Sequence, residues 1–146
     1  MKYGGVDFAV LEDRKFKSAP SEVIKELIAP PGFKWPNPRR TDFRIEVVLD
    51  PDYDCTQLDR PGLQLLGAEQ EVFLKAWADQ LTVSQGMGAV ISSSPWAHIA
   101  MYSPTSADTD SNAWPQSGRN RALEAIGDAP VILLHGDVHL LSLIHI

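Results

Sequence analysis

Three short apolar segments constrain the fold of this chain most, because each is as long as a buried strand and stops abruptly at polar residues. They cover residues 5–11, 88–93 and 131–136. Amphipathic helical patterns lie between them, one beginning near Gly67 and one over residues 117–126. Apolar strands that alternate with amphipathic helices are typical of α/β folds, in which parallel strands are covered by helices. We therefore predict an α/β layered structure with these three segments as neighbouring strands.

The pattern of the first helix predicts which of its faces is buried. Apolar residues recur there at helical spacing, with charged side chains on the remaining positions. The predicted buried face consists of Leu66, Val72, Phe73, Ala76, Trp77 and Leu81.

The segment between the first strand and this helix is less regular. Residues 21–28 have the pattern of a short helix, which Pro30 and Pro31 end, and residues 43–50 have that of a short strand. The rest of the stretch from 30 to 62 is rich in proline and predicts a surface excursion or a functional lid.

Composition excludes some classes of partner. The 146 residues suit one domain, and the formal net charge of −6 argues against a nucleic-acid surface or an anionic membrane surface. The only local basic cluster is Arg39 with Arg40, and no apolar run approaches the length of a membrane span. Cys55 is the only cysteine and lies among acidic residues, which raise a thiol pKa, so we exclude it as a nucleophile.

The third apolar segment runs into the sequence HGDVH, residues 135–139. Asp137 offers carboxylate oxygen and His139 imidazole nitrogen, a mixed set that suits a zinc, iron, manganese or calcium ion. The alternative is an ordinary strand end with a solvated aspartate and a hydrogen-bonded histidine. The spacing of His135 and His139 does not decide between the two.

Two other polar groups are candidates for chemistry. Asp13 and Arg14 directly follow the first strand, where they either contribute to a site or form an ion pair that neutralises the strand end. Asn112 and Arg119 flank an aromatic–proline segment, and Arg119 could hold a phosphate oxygen through two hydrogen bonds. The alternative there is a solvated loop attached to the body by Trp114.

Four segments in this order resemble the PhoD-like alkaline phosphatase family. They are YGGVDFAVLEDRKFKS, LDRPGLQLLGAEQEVFLKAWADQ, DSNAWPQSGRNRALEAI and HGDVHL, and the resemblance extends from Tyr3 to Leu140. It implies a metallophosphoesterase with a calcineurin-like α/β sandwich. It also implies that paired divalent or trivalent metal ions (calcium, iron, zinc or manganese) hydrolyse phosphate monoesters or diesters.

The resemblance also implies roles for particular residues. Asp137 and His139 match the Gly-Asp-x-His motif, which reaches the metal site. Asp13 and Arg14 match an Asp-x-Arg-like segment after a core strand. The catalytic positions implied by the resemblance are Asp13, Arg14, Asn112 and Arg119.

The family's earlier metal-binding motifs have no counterpart in this chain. We therefore expect residues 1–140 to be the C-terminal part of a catalytic domain, an incomplete sandwich whose partner is the missing N-terminal half. Such a piece should be inactive alone. Residues 141–146, LSLIHI, resemble one translated frame of a sequencing adapter, so we expect a non-native tail; the alternative is a natural apolar tail. The resemblance suggests a periplasmic or secreted protein.

The competing hypothesis is a non-catalytic α/β binding or interaction domain with Trp35, Trp96 and Trp114 as exposed anchors. The two hypotheses differ in geometry. A phosphatase site requires Asp13 and His139 to lie at one edge of the sheet, whereas a binding domain allows them to lie far apart.

Overall fold

The computed structural model describes residues 1–19, 47–49, 59–97, 106–108, 114–136 and 142–145. Seven strands and two helices lie in these ranges. The strands are β1 (Lys2–Tyr3), β2 (Val6–Val10), β3 (Val47–Leu49), β4 (Met87–Ser92), β5 (Ser106–Asp108), β6 (Val131–His135) and β7 (Ser142–His145). The helices are α1 (Ala68–Ser84) and α2 (Gln116–Ile126).

A five-stranded mixed sheet forms the centre of the fold, in the order β1-β2-β4-β6-β7. Strands β2, β4 and β6 are parallel neighbours, which confirms the prediction from the three apolar segments. The edge strands β1 and β7 pair antiparallel with β2 and β6. A separate antiparallel pair joins β3 to β5, so the predicted strand at 43–50 is confirmed over Val47–Leu49.

A two-residue turn connects β1 to β2. Gly4 and Gly5 have φ of 59° and 85°, and Tyr3 pairs with Val6 across the turn. Two successive positive φ angles define the tight hairpin turn whose twist matches that of its strands, and glycine adopts them without steric cost. The sequence prediction missed this hairpin, although the Gly-Gly pair is a recognised signal for it.

The two helices cover one face of the central sheet. In register, Ala9 of β2, Val90 of β4 and Leu133 of β6 lie side by side on this face, and all three are buried. Trp77 and Leu81 of α1 pack closely on Gly88 of β4. A Cβ atom at Gly88 would overlap both side chains. This layer is the hydrophobic core of the domain.

The opposite face of the same three strands is apolar throughout and more exposed. Val10 is 63% exposed, and Met87 and Ile91 are also exposed. No described helix packs on this side. The alternation of side chains along the three strands places on this face Val6, Phe8, Val10, Met87, Ala89, Ile91, Ile132 and Leu134.

The buried face of α1 differs from the prediction. Leu74, Trp77, Ala78 and Leu81 are buried, whereas Val72, Phe73 and Ala76 are exposed, so the predicted face was wrong for these three residues. The contact of Trp77 with the flat surface of β4 fixes the rotation of the helix. Because apolar residues occur on both sides of Trp77 at helical spacing, the pattern alone permitted either rotation.

Helix α2 agrees closely with its prediction, since it ends at Ile126 with Gly127 at its C-terminal cap. Its N-terminus is held by the distant Asp59, which accepts hydrogen bonds from the Ser117 backbone N–H at 2.6 Å and from Ser117 Oγ at 2.8 Å. Arg121 donates to the Leu63 carbonyl at 2.8 Å. The segment before α1 is thereby fixed against the first turns of α2.

Several sequence predictions concern segments outside the described ranges. The predicted helix over 21–28 lies there, as do most of the proline-rich stretch and Cys55. Neither described helix is long and apolar enough to cross a lipid bilayer.

Gly118 provides a test of the packing between α2 and the segment before α1. A Cβ at this position would lie 2.5 Å from the Leu65 backbone nitrogen, which cannot move aside as a flexible side chain could. We expect Gly118→Ala to lower the free energy of unfolding by about 1–3 kcal/mol despite the higher helix propensity of alanine. Urea denaturation followed by circular dichroism measures this change.

The matched control is Gly136→Ala, because a Cβ there meets nothing within 4 Å. Equal unfolding midpoints for the two variants would contradict the close contact at Gly118.

Candidate functional site

The three parallel strands end at one edge of the sheet, and each contributes a buried polar residue there. Asp13 follows β2, Ser92 ends β4 and His135 ends β6. Ser92 and His135 are partners in the register of β4 and β6. All three residues are buried. Because the carboxyl ends of parallel strands form the usual position of sites in α/β folds, this edge is the candidate functional site.

Asp13 holds the loop that follows β4. Its Oδ2 accepts hydrogen bonds from Ser92 Oγ at 2.9 Å and from the Ser94 backbone N–H at 2.7 Å. Its Oδ1 accepts from the Ser93 backbone N–H at 3.3 Å, from Ser93 Oγ and from the Arg14 backbone N–H at 3.0 Å. Five donors therefore converge on one carboxylate. We call this arrangement of Asp13 with Ser92, Ser93 and Ser94 the serine clasp.

The serine clasp keeps Asp13 ionised. Burial raises the pKa of the carboxyl group, but the hydrogen bonds from Ser93, Ser94 and Ser92 outweigh burial and hold the pKa below its usual 3.8. A carboxylate has about four lone-pair positions, and the five donors fill them. Asp13 is consequently occupied in holding the loop, and it also accepts a hydrogen bond from the Arg14 backbone amide.

Trp96 connects the serine clasp to β6. Its indole Nε1 donates to Ser92 Oγ at 3.0 Å, and its ring stacks on His135 with centroids 6.2 Å apart and an interplanar angle of 29°. Trp96 is 3% exposed and Trp114 is 1% exposed. The hypothesis that these two tryptophans are exposed anchors is therefore wrong, because both rings fill the interior; Trp35 lies outside the described ranges.

His135 is buried at the end of β6. It is 1% exposed, and in the part of the chain that the structure describes neither Nδ1 nor Nε2 has a hydrogen-bond partner. Burial lowers its pKa from 6.5 to about 4, although the nearby charge of Asp13 acts in the opposite direction. The ring is therefore neutral at pH 7. Ser94 Oγ, on the loop of the serine clasp, is another buried polar atom without a hydrogen-bond partner among the described residues.

The N-termini of both helices lie at this edge, since a helix between parallel strands runs back along the sheet. At α1, Gln70 Nε2 donates to the Glu12 carbonyl at 3.3 Å, and Phe16 packs against Gly67. At α2, Asp59 already occupies the amide of Ser117. These contacts attach the helix layer to the edge.

The structure brings together only some of the residues predicted for a site. Asp13 belongs to the edge and is buried, whereas the adjacent Arg14 side chain is exposed. Arg119 lies in the first turns of α2, as predicted, and its guanidinium donates to Asn120 Oδ1 at 3.2 and 3.0 Å.

The remaining predicted site residues, Asn112, Asp137 and His139, lie outside the described ranges. The separation of Asp13 from His139 thus stays a prediction. The structure does show part of the predicted arrangement: β2 and β6 lie on either side of β4, with their carboxyl ends at one edge of the sheet.

The sequence prediction did not include the serines after the second strand in a site. Ser92, Ser93 and Ser94 are a run of three hydroxyl residues at a strand end, which was the available signal. For His135 and Trp96 no comparable signal existed, because their importance depends on burial and on contact between distant segments.

Comparison with protein-family models, with curated proteins and with solved structures found no match. In the ranges that the structure describes, no group of three or more histidine, cysteine, aspartate or glutamate side chains could together hold a metal ion.

The serine clasp predicts that replacing the Asp13 carboxylate lowers the stability of the folded protein. Asp13→Asn retains the shape of the side chain but replaces one acceptor oxygen by an amide that faces donors. We expect a loss of about 2–4 kcal/mol in the free energy of unfolding at pH 7, measured by urea denaturation. The matched control is Glu12→Gln, an exposed neighbour. A loss no larger than that of the control would contradict the role of the clasp.

His135 predicts a pH dependence of stability in the metal-free protein. Its pKa is lower in the folded state, about 4, than the 6.5 expected when unfolded. The unfolded state therefore binds more protons between these values, so stability is complete above pH 6.5 and falls toward pH 4. We expect the wild type to lose roughly 2 kcal/mol more than His135→Gln between pH 7.5 and pH 5 in urea denaturation. Parallel pH profiles for the two proteins would contradict this assignment.

Proposed function

We propose that this chain is part of a metal-dependent phosphohydrolase, a phosphomonoesterase or phosphodiesterase of the PhoD-like alkaline phosphatase type. The observation that supports this most is the convergence of polar side chains at the carboxyl ends of β2, β4 and β6. The sequence HGDVH begins with His135, the last residue of β6. A hydrolytic centre that draws ligands from several strands requires such an edge.

The metal centre is proposed to use Asp137 and His139, which follow β6 by two and four residues. The donor chemistry at the end of β6 fits such a centre, because His135 presents an imidazole with unpaired nitrogens in a buried position. When bound, the metal ions would polarise the phosphoryl group and supply an activated water. The metals that suit these donors are calcium, iron, zinc or manganese.

The other residues at the edge would position groups around the phosphate ester. Asp13 holds the loop after β4 in place, and Arg14 follows it in an exposed position where a guanidinium can reach an anionic substrate. Arg119 lies in the first turns of the helix that leads to β6 and is proposed to contact a phosphate oxygen, together with Asn112, which precedes this helix in the sequence.

The proposed calcineurin-like sandwich also accounts for the exposed apolar face of the central sheet. Three adjacent parallel strands are normally covered on both faces, and here the described helices cover one. Val10, Met87 and Ile91 are exposed on the other. We propose that the N-terminal half of the same protein supplies the second layer, and that the present chain does not turn over substrate without it.

Metal binding tests this proposal. Isothermal titration with Zn²⁺, Mn²⁺ and Ca²⁺ should detect a site in the wild type that His139→Ala weakens about tenfold or more, because one ligand is removed. Metal analysis after dialysis checks the stoichiometry.

His98→Ala is the matched control, since it removes a histidine outside the motif. Absence of metal binding by the wild type, or equal affinities for the wild type and His139→Ala, would contradict the proposed metal centre. Hydrolysis of a chromogenic phosphate ester by the wild-type chain would contradict the proposed need for a second half.

A further inference from the structure

We infer that His135 is itself a ligand of the metal ion at this edge, an assignment that neither its spacing nor the Gly-Asp-x-His motif makes. The inference rests on the proposed function, because it concerns the same metal centre. It is carried by the surroundings of the imidazole: His135 is 1% exposed, and within the described ranges neither of its ring nitrogens has a hydrogen-bond partner.

Unpaired buried nitrogens require an explanation. A buried polar atom without a partner costs about 1–3 kcal/mol, and a neutral imidazole has one donor and one acceptor nitrogen. The described residues offer them neither: the face of the ring stacks on Trp96, and the neighbouring Ser92 directs its hydroxyl to Asp13. A ligand that coordinates the lone pair of the acceptor nitrogen would remove that nitrogen's share of the cost. Histidine nitrogen is among the commonest metal ligands.

The charge at this edge favours a cation. Asp13 is fully buried, and its five hydrogen bonds come from neutral hydroxyl and amide groups. Its negative charge also acts on the His135 ring. A buried anionic centre beside an unpaired imidazole attracts a positive ion more strongly than a neutral ligand.

Another unpaired atom lies on the neighbouring strand end. Ser94 Oγ is buried without a hydrogen-bond partner among the described residues, on the loop that the serine clasp holds. Of the six such atoms in the described ranges, three thus lie at the ends of β4 and β6, and the other three belong to Gln70, Trp77 and Gln116 of the helices. Both strand ends therefore offer a buried polar atom to a group that the protein itself does not supply.

Imidazole coordination narrows the choice of metal. Calcium and magnesium prefer oxygen ligands, whereas zinc, iron, cobalt and manganese accept histidine nitrogen. With His135 as a ligand, the ion at the end of β6 should be one of the latter group.

The test uses Co²⁺ as a spectroscopic probe in the 146-residue chain with Cys55→Ser, which removes the only native thiol. We expect His135→Gln to weaken Co²⁺ binding about tenfold or more in isothermal titration. His135→Cys should retain binding and add a thiolate-to-cobalt charge-transfer band in the near ultraviolet, which the parent protein lacks. His98→Gln is the matched control and should bind Co²⁺ like the parent.

The outcomes separate this inference from the proposed function. If His139→Gln weakens Co²⁺ binding and His135→Gln does not, His135 is not a ligand, while the metal centre stands; a buried water then satisfies its ring. If the parent protein binds no Co²⁺, the proposed function fails and the inference fails with it. Should His135→Gln fail to fold, the His135→Cys spectrum decides: a folded variant without the charge-transfer band overturns the inference.

Discussion

The hydrogen bonds that Asp13 accepts join the ends of two strands that are far apart in the sequence. The carboxylate follows β2, and its donors belong to the loop after β4. Burying a carboxylate is unfavourable unless hydrogen bonds replace its hydration, and here five donors do so. The position of Ser92 then determines that of Trp96, and Trp96 in turn covers His135. The arrangement of the whole edge thus depends on one ionised side chain.

The sheet was predictable because each of its three parallel strands is a short apolar run in the sequence. The apolar runs that became β2, β4 and β6 end where polar residues begin, and α2 has both a helical pattern and a glycine at its end. The rotation of α1 was not predictable to the same degree. Val72 and Phe73 are as apolar as Leu74, and only the contact of Trp77 with β4 determines which of them is buried.

The candidate site was predictable only in part, for a physical reason. Asp13 could be proposed because it follows a strand, but its five donors include three serines about eighty positions away. His135 could be seen beside the Gly-Asp-x-His motif, yet its burial follows from the register of β6 with β4. Trp96 lies in a serine-rich segment of the kind that usually carries exposed side chains, but its ring is buried in the interior. Contacts between distant segments decide each of these cases.

The parallel arrangement of the central strands also has a consequence for how the chain folds. Ala89 of β4 pairs with Ile132 across one connection and with Phe8 across another that is roughly twice as long. Closing the longer loop costs about 0.6 kcal/mol more in chain entropy, and pairings between distant segments slow folding. We therefore expect β4, α2 and β6 to assemble first, with β2 joining later. On this order the carboxylate of Asp13 meets its serines late in folding, and the edge of the sheet is completed only when the first segment of the chain arrives.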